Sequence, residues 1–422
     1  MISRELLRQV VASQKVNTLL PPGMVQRDML ADVLKWLDDP RVLVLTGVRR
    51  CGKSTLLRQI MHQTAHWCYI NFEDERLLDF QAQDFETLNE VLLEVYKQAR
   101  TYFFDEIQNI DRFETFVRRL QDEGKKVVIT GSNASLLSKE IGTKLTGRYK
   151  QFEVYPFSFK EYLLFKQFVL SEHDFFITER RVALIELFTE YLEGGGLPEY
   201  LKNQDKEYVR TLFENILYKD IITRYSIRTE RAVRELVRLL ATNIAAPFTY
   251  NALKEPLGLS NAITVKEYVT YLQNAYVFFE LHKYYASIRR QLGAPRKIYL
   301  VDSSLHTVSG ASASPNKGRL LENVVYLELK RRKQEIYYYG GKQECDFILK
   351  HGTRIVGAIQ VSHTLDETNR EREIDGLMEA MDAFKLQEGY VLTLEQSEAI
   401  TLRGKEIIVM PVYRWMLETE SY

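Results

Sequence analysis

Cysteine, net charge and long apolar runs are what this 422-residue sequence has little of. The three cysteines, Cys51, Cys68 and Cys345, stand at no paired spacing, which argues against a disulfide framework or a zinc knuckle and fits a reducing cytoplasm. Fifty-seven basic residues face fifty-seven acidic ones, so no global field draws the chain to nucleic acid or an anionic membrane, and any such binding must use a local patch. No apolar run has the length of a membrane span. The opening MISRELLRQVVASQ is an amphipathic helix pattern interrupted by Arg4, Glu5 and Arg8, unlike the continuous apolar core of a signal peptide. Internal repeats and low-complexity segments are absent as well. The plentiful residues are Tyr (25) and Phe (21), more often core than base-stacking groups, and the length suits about two to four domains.

The stretch that organises the chain is Arg41 to Leu57, RVLVLTGVRRCGKSTLL. The apolar run Val42 to Leu45 meets Gly47, Gly52, Lys53 and Ser54 at the G-x-x-x-x-G-K-[ST] spacing of a P-loop. A buried strand delivers the chain, and glycines let backbone N–H groups curl round phosphates. The helix that begins near Lys53 points its positive end at the anion. Gly47, Arg50, Gly52, Lys53, Ser54 and Thr55 are the expected nucleotide contacts, with Lys53 on the phosphates and the Ser54 hydroxyl on Mg²⁺.

Before the loop, Arg27 to Asp38 reads as a helix; after it, His66 to Phe72 reads as a second strand. Thr101 to Asp105, within YFFDEIQ, is a third strand closing on Asp105 and Glu106. That pattern resembles a Walker B segment, with the strand expected beside the P-loop strand, Asp105 in the metal shell and Glu106 on the attacking water. Lys126 to Thr130 is a fourth strand, leading into Ser132 and Asn133. Either residue is placed to touch the γ-phosphate or the water, or to cap a helix over 134–141. Arg148, in KLTGRY, can serve as an arginine finger in its own subunit or a neighbour's, or pair at the surface with Glu153.

Six segments together, GVRRCGKS (47–54), YFFDEIQ (102–108), ITGSNAS (129–135), TGR (146–148), YPFSFKEYL (155–163) and GGLPEY (195–200), resemble a large group of prokaryotic AAA-type ATPases near the STAND and archaeal ATPases. The similarity runs over nearly the whole chain. It implies Mg²⁺-dependent ATP hydrolysis, a sensor role for Asn133 or Ser132, and a helical lid over the nucleotide. Gly194, Gly195 and Gly196 suit a hinge of that lid or a plain turn.

Beyond the lid, a helix from Arg231, a short helix from Tyr250, a turn at Gly258 and a longer helix from Asn261, followed by extended residues 279–286, resemble a winged helix. The segment after it holds Lys283, Arg289, Arg290, Arg296 and Lys297 with no acid between Glu280 and Asp302. These five are the candidate nucleic-acid contacts, against the alternative of a solvated basic face. A polar loop, Ser309 to Gly318, precedes a helix carrying Glu322, then three strands, a helix and two further strands, an order that looks like the PD-(D/E)xK nuclease fold. Asp346, preceded by Glu344, takes the Asp position of that fold, with Glu322 on the helix, while the acid-x-Lys position reads Gln360, Val361, Ser362. Glutamine keeps an oxygen ligand, but serine supplies no ammonium, so ATPase and not nuclease chemistry is expected.

The expected architecture is α/β: a P-loop NTPase core with a parallel sheet (1–155), a helical lid (156–228), a winged-helix-like domain (229–290) and an αβββαβ nuclease-like C-terminal domain (291–422). The expected activity is hydrolysis of ATP with Mg²⁺, coupled to nucleic-acid binding by the C-terminal half. A protein-partner switch is the alternative use, and a metal-dependent nuclease a third. DNA or a protein is the partner, no membrane is involved, and Arg148 in trans would imply a homo-oligomer.

Overall fold

The structure is a computed structural model that describes residues 1–20, 23–133, 145, 147–308 and 316–418. The helix expected over 134–141, Thr146 of the TGR segment and most of the loop 309–318 lie outside the described residues. The chain divides into two compact units: Met1–Pro156 with Asn274–Tyr276, and Phe157–Gln273 with Val277–Tyr422.

The first unit is built on a five-stranded sheet: β1 (Val42–Thr46), β2 (Trp67–Asn71), β3 (Thr101–Asp105), β4 (Lys126–Gly131) and β5 (Tyr149–Glu153), in the order β2-β3-β4-β1-β5. All four pairings are parallel. Helices cover such a sheet on both faces, so its central strands are mostly apolar, and every residue of β1 and β3 is buried. The N-terminal helix Arg4–Val16, capped by the Ser3 hydroxyl, buries Leu7, Val10 and Val11 in the same core.

Two expectations are corrected. The β3 strand does not lie beside β1; β4 runs between them, so its side chains help to assemble the site. The helix expected over 27–38 is confined to Leu30–Leu34, because the carbonyls of Trp36, Asp39 and Arg41 all turn towards the Lys126 ammonium, at 2.7, 2.5 and 2.9 Å.

In the second unit, helices Phe159–Phe165 and Thr178–Gly194 come first, the former opened by a reciprocal Ser158–Glu161 capping box. Helices Glu230–Thr242, Tyr250–Lys254 and Ala262–Asn274 lead into an antiparallel pair, β6 (Phe278–His282) and β7 (Arg296–Leu300), with the short helix Ile288–Gly293 between them. After the helix Lys317–Arg331, a six-stranded sheet is made by β8 (Glu335–Gly340), β9 (Glu344–His351), β10 (Arg354–Val361), β11 (Glu388–Thr393), β12 (Glu398–Leu402) and β13 (Lys405–Pro411), in the order β12-β13-β11-β10-β9-β8. Helix Arg370–Phe384 lays Leu377, Met378 and Met381 on that sheet, against Ile348, Ala358 and Val391. Among the described residues, no helix is long and apolar enough to cross a membrane.

Candidate active site

At the carboxyl end of β1 the chain turns through Gly47 and Gly52 into the helix Lys53–His62. Both turns exclude a side chain. A Cβ on Gly47 would lie 2.1 Å from the Val154 carbonyl oxygen, and one on Gly52, at φ +102°, would lie 2.5 Å from Arg27 Nη1. Lys53 is buried; its ammonium donates to the Gly47 and Val48 carbonyls, each at 3.1 Å, and stands 3.6 Å from Glu106 Oε1. Burial opposes that charge, yet Glu106 and, less strongly, Asp105 hold the Lys53 pKa above its ordinary value.

Asp105 ends β3, and Glu106 follows it in the left-handed region at φ 50°. That conformation turns the Glu106 N–H onto Thr130 Oγ1 of β4, 2.9 Å away, while the Thr130 hydroxyl donates to Asp105 Oδ1. Burial, and next the charge of Glu106, push Asp105 up, against hydrogen bonds from Thr130 and Ser54 and the charge of Lys53. Glu106 goes the other way: burial raises it, but the Lys53 ammonium and the Gln108 amide, at 2.5 Å, hold it below the ordinary glutamate value and keep it ionised, as a base must be. The Ser54 hydroxyl, bonded to Asp105, completes an oxygen pair suited to a cation that needs only one or two protein ligands beside phosphate and water. Ser132 and the buried Asn133 stand at the exit of β4, with Ser132 Oγ accepting from Gln108 Nε2 at 3.4 Å.

The whole segment around these residues, 39–163, matches a family model described as an AAA domain. This chain belongs to an AAA-type ATPase family. Residues 185–314 and 317–415 match two further models, each described as a domain of unknown function (DUF8612 and DUF4143). Uncharacterized protein MJ1544 of Methanocaldococcus jannaschii is 33% identical over 438 residues, covering 99% of this chain and 96% of the relative. An uncharacterized protein of Haemophilus influenzae is 28% identical over 425 residues, covering 94% and 99%. Among solved structures, domain III of the Thermotoga maritima replication initiation protein DnaA matches at 19% identity and TM-score 0.26, covering 41% of this chain and 90% of that one.

Other residues of this AAA-type chain fall where spacing alone did not put them. Arg148 is at the far end of the sheet from the P-loop: its carbonyl accepts from the N–H of Val42, the first residue of β1, and its guanidinium pairs with Asp122 at 2.6 Å, not with Glu153. It therefore does not reach the phosphate loop of its own subunit. Arg27, which no motif marks, is buried against that loop. It donates to the carbonyls of Cys51 at 2.8 Å and Tyr155 at 2.6 Å, while its own N–H bonds Gln59 at 3.1 Å. Arg50 is exposed with its backbone at φ 65°.

Of the five candidate nucleic-acid contacts, Arg289 and Arg290 are exposed and Lys283 is half-buried. Arg296 and Lys297 are corrected, because both are buried. Arg296 lies over the Tyr250 ring, 3.8 Å from Glu280, and Lys297 is 1% exposed. The Lys297 ammonium meets Glu322 Oε1 at 2.9 Å, Glu344 Oε1 at 2.9 Å and Asp346 Oδ1 at 2.8 Å. The ammonium of this group therefore comes from β7. Gln360 does join this group, its Oε1 accepting from the Asp346 N–H at 3.2 Å and its Nε2 donating to Glu373. Glu322, Glu344, Asp346, Gln360, Ser362 and Arg372 line a cleft of about 650 Å³.

Proposed function

We propose that the protein binds and hydrolyses ATP with Mg²⁺, and that its C-terminal half couples nucleotide state to nucleic-acid binding. The observation that carries the first part is the convergence of Lys53 and Glu106 to 3.6 Å at one end of the parallel sheet, beside Ser54 and Asp105. Lys53 and the N–H groups of Val48–Ser54 would cradle the phosphates, and Glu106 would take the proton of the attacking water. Ser54 and Asp105 would hold Mg²⁺, which supplies neutralisation of phosphate charge. Ser132 or Asn133 would orient the γ-phosphate or the water. Arg148, turned away from its own loop, would act on a neighbour's.

Support for nucleic-acid coupling comes from the order of helices ahead of β6 and β7, which we infer to be a winged helix, and from exposed Arg289 and Arg290. A protein-partner switch is the second reading, favoured by the exposed apolar side chains of Val169, Phe176 and Val182 (78%, 71% and 47% exposed). ATP turnover with and without DNA, at two salt concentrations, separates the two. Stimulation by DNA that fades with salt and is lost in Arg289→Ala/Arg290→Ala supports the first; turnover indifferent to DNA supports the second. In the same assay Glu106→Gln is expected to cut turnover about 10²- to 10⁴-fold while ATP still binds. Turnover unchanged by that substitution would remove Glu106 from its role.

A further inference from the structure

The C-terminal cleft has acids on its floor and a lysine behind them. Glu322, Glu344 and Asp346 line the cleft, whereas Lys297 is almost wholly buried beneath them. An ammonium has three N–H donors, and here one goes to each carboxylate, at 2.8–2.9 Å. None is left to reach a molecule in the cleft. Two of the three acids have a further partner. Asp346 gives Oδ1 to Lys297 and Oδ2 to the Val361 N–H at 3.0 Å, and Glu322 Oε1 also accepts from the Tyr299 hydroxyl at 2.7 Å.

Distance distinguishes an ammonium cluster from a metal cluster. Oxygens that hold Mg²⁺ stand about 2.0–2.1 Å from the ion, whereas charge-assisted N–H···O bonds run about 2.7–2.9 Å. The three oxygens stand 2.8–2.9 Å from the Lys297 nitrogen, the longer of these contacts. Among the described residues, no group of three or more His, Cys, Asp or Glu side chains is set to hold a metal ion. The lysine sets that spacing: Glu344 and Asp346 come from β9 and Glu322 from the helix Lys317–Arg331, and their side chains meet on its nitrogen.

We propose that the ammonium of Lys297 is the permanent cation of this cleft, closing Glu322, Glu344 and Asp346 into a metal-free cluster, and that its removal turns the same carboxylates into a site for an oxygen-preferring divalent ion such as Mn²⁺. The C-terminal domain then binds whatever enters the cleft without a metal, and a divalent requirement of the whole protein belongs to the P-loop alone.

The test is Mn²⁺ titration of the full chain at pH 8 without nucleotide, by calorimetry and by electron paramagnetic resonance, with thermal unfolding alongside. Wild type is expected to show no Mn²⁺ binding that Asp346→Asn removes. Lys297→Met is expected to gain one site, about tenfold or more tighter than any wild-type binding. Lys297→Met/Asp346→Asn should lose it, and Mn²⁺ should raise the unfolding temperature of Lys297→Met but not of wild type. A wild-type Mn²⁺ site abolished by Asp346→Asn overturns the proposal, and so does a folded Lys297→Met that gains none. Should Lys297→Met not fold, the wild-type and Asp346→Asn titrations decide by themselves: binding lost in Asp346→Asn overturns it, and no difference upholds it.

Discussion

Glu322 keeps its proton far above the pH at which an exposed glutamate loses it. Burial, and then the charge of Asp346, push it up to about 8 from 4.5, against the pull of Lys297 and the Tyr299 hydroxyl. The sign of the consequence follows from linkage. Between pH 4.5 and 8 the unfolded chain releases this proton and the folded chain keeps it, so rising pH favours unfolding, by up to roughly 1.4 kcal/mol per pH unit, and the effect levels off above the folded value. Glu322→Gln is a neutral mimic of the protonated side chain and removes that slope. Amide exchange of β9 and β10, compared between wild type and Glu322→Gln at each pH from 5 to 9, should show the two alike at pH 5 and the variant progressively better protected towards pH 8. A constant difference across the range would mean that Glu322 is ionised throughout. At this scale the sequence is uneven in what it discloses. Lys53, Ser54, Asp105 and Glu106 are legible because a few neighbouring residues impose their geometry. Lys297 is not: its partners Glu322 and Asp346 are 25 and 49 residues away, so a run without acids looks like a solvated basic face until the fold brings the acids to it.

Glycine clusters between helices invite the idea of a hinge, and Gly194 to Gly196 show what else they can be. The Gly196 N–H donates to Asp302 Oδ2 at 2.7 Å, and its carbonyl accepts from the Phe157 N–H at 2.8 Å. A Cβ on Gly195, at φ +76°, would lie 2.0 Å from Asp302 Oδ1, and one on Gly196 would lie 2.4 Å from the Phe157 carbonyl oxygen. Gly195 and Gly196 are glycine because a buried carboxylate and a neighbouring stretch of backbone pass too close for anything larger. Gly195→Ala is thus expected to destabilise the second unit by about 2–4 kcal/mol through combined backbone strain and displacement of Asp302. Denaturant unfolding of that unit measures it, and a loss below about 0.5 kcal/mol would restore the freely moving hinge. Elements with strong internal pattern, such as the buried strands β1, β3 and β4, are readable from sequence. Strand order is not, since the interposition of β4 between β1 and β3 leaves no local mark. The edge strand β12 is equally hard to read: EAITL is largely exposed and pairs on one side only, antiparallel to β13 through a turn at Arg403 and Gly404, both with positive φ.

For the molecule as a whole, the position of Arg148 bears on assembly. The phosphate loop leaves the carboxyl end of β1, while Arg148 precedes β5 at the amino end of the same parallel pair. Two ends of one sheet cannot meet within a subunit, but they can meet between subunits that pack head to tail, the arrangement that closes into rings. The surface pair with Asp122, each side chain about half exposed, costs little to break. If Arg148 completes a neighbour's site, two inactive variants should rescue each other. Arg148→Ala retains Glu106 but offers its neighbour no guanidinium, and Glu106→Gln offers the guanidinium but cannot hydrolyse. In an equal mixture with random assembly, about a quarter of the sites pair an intact Glu106 with an intact Arg148, so turnover should return to about a quarter of the wild-type value and specific activity should rise with protein concentration. A mixture no more active than its parts, or an Arg148→Ala variant with wild-type turnover, would leave Arg148 as a surface partner of Asp122 and the site complete within one chain.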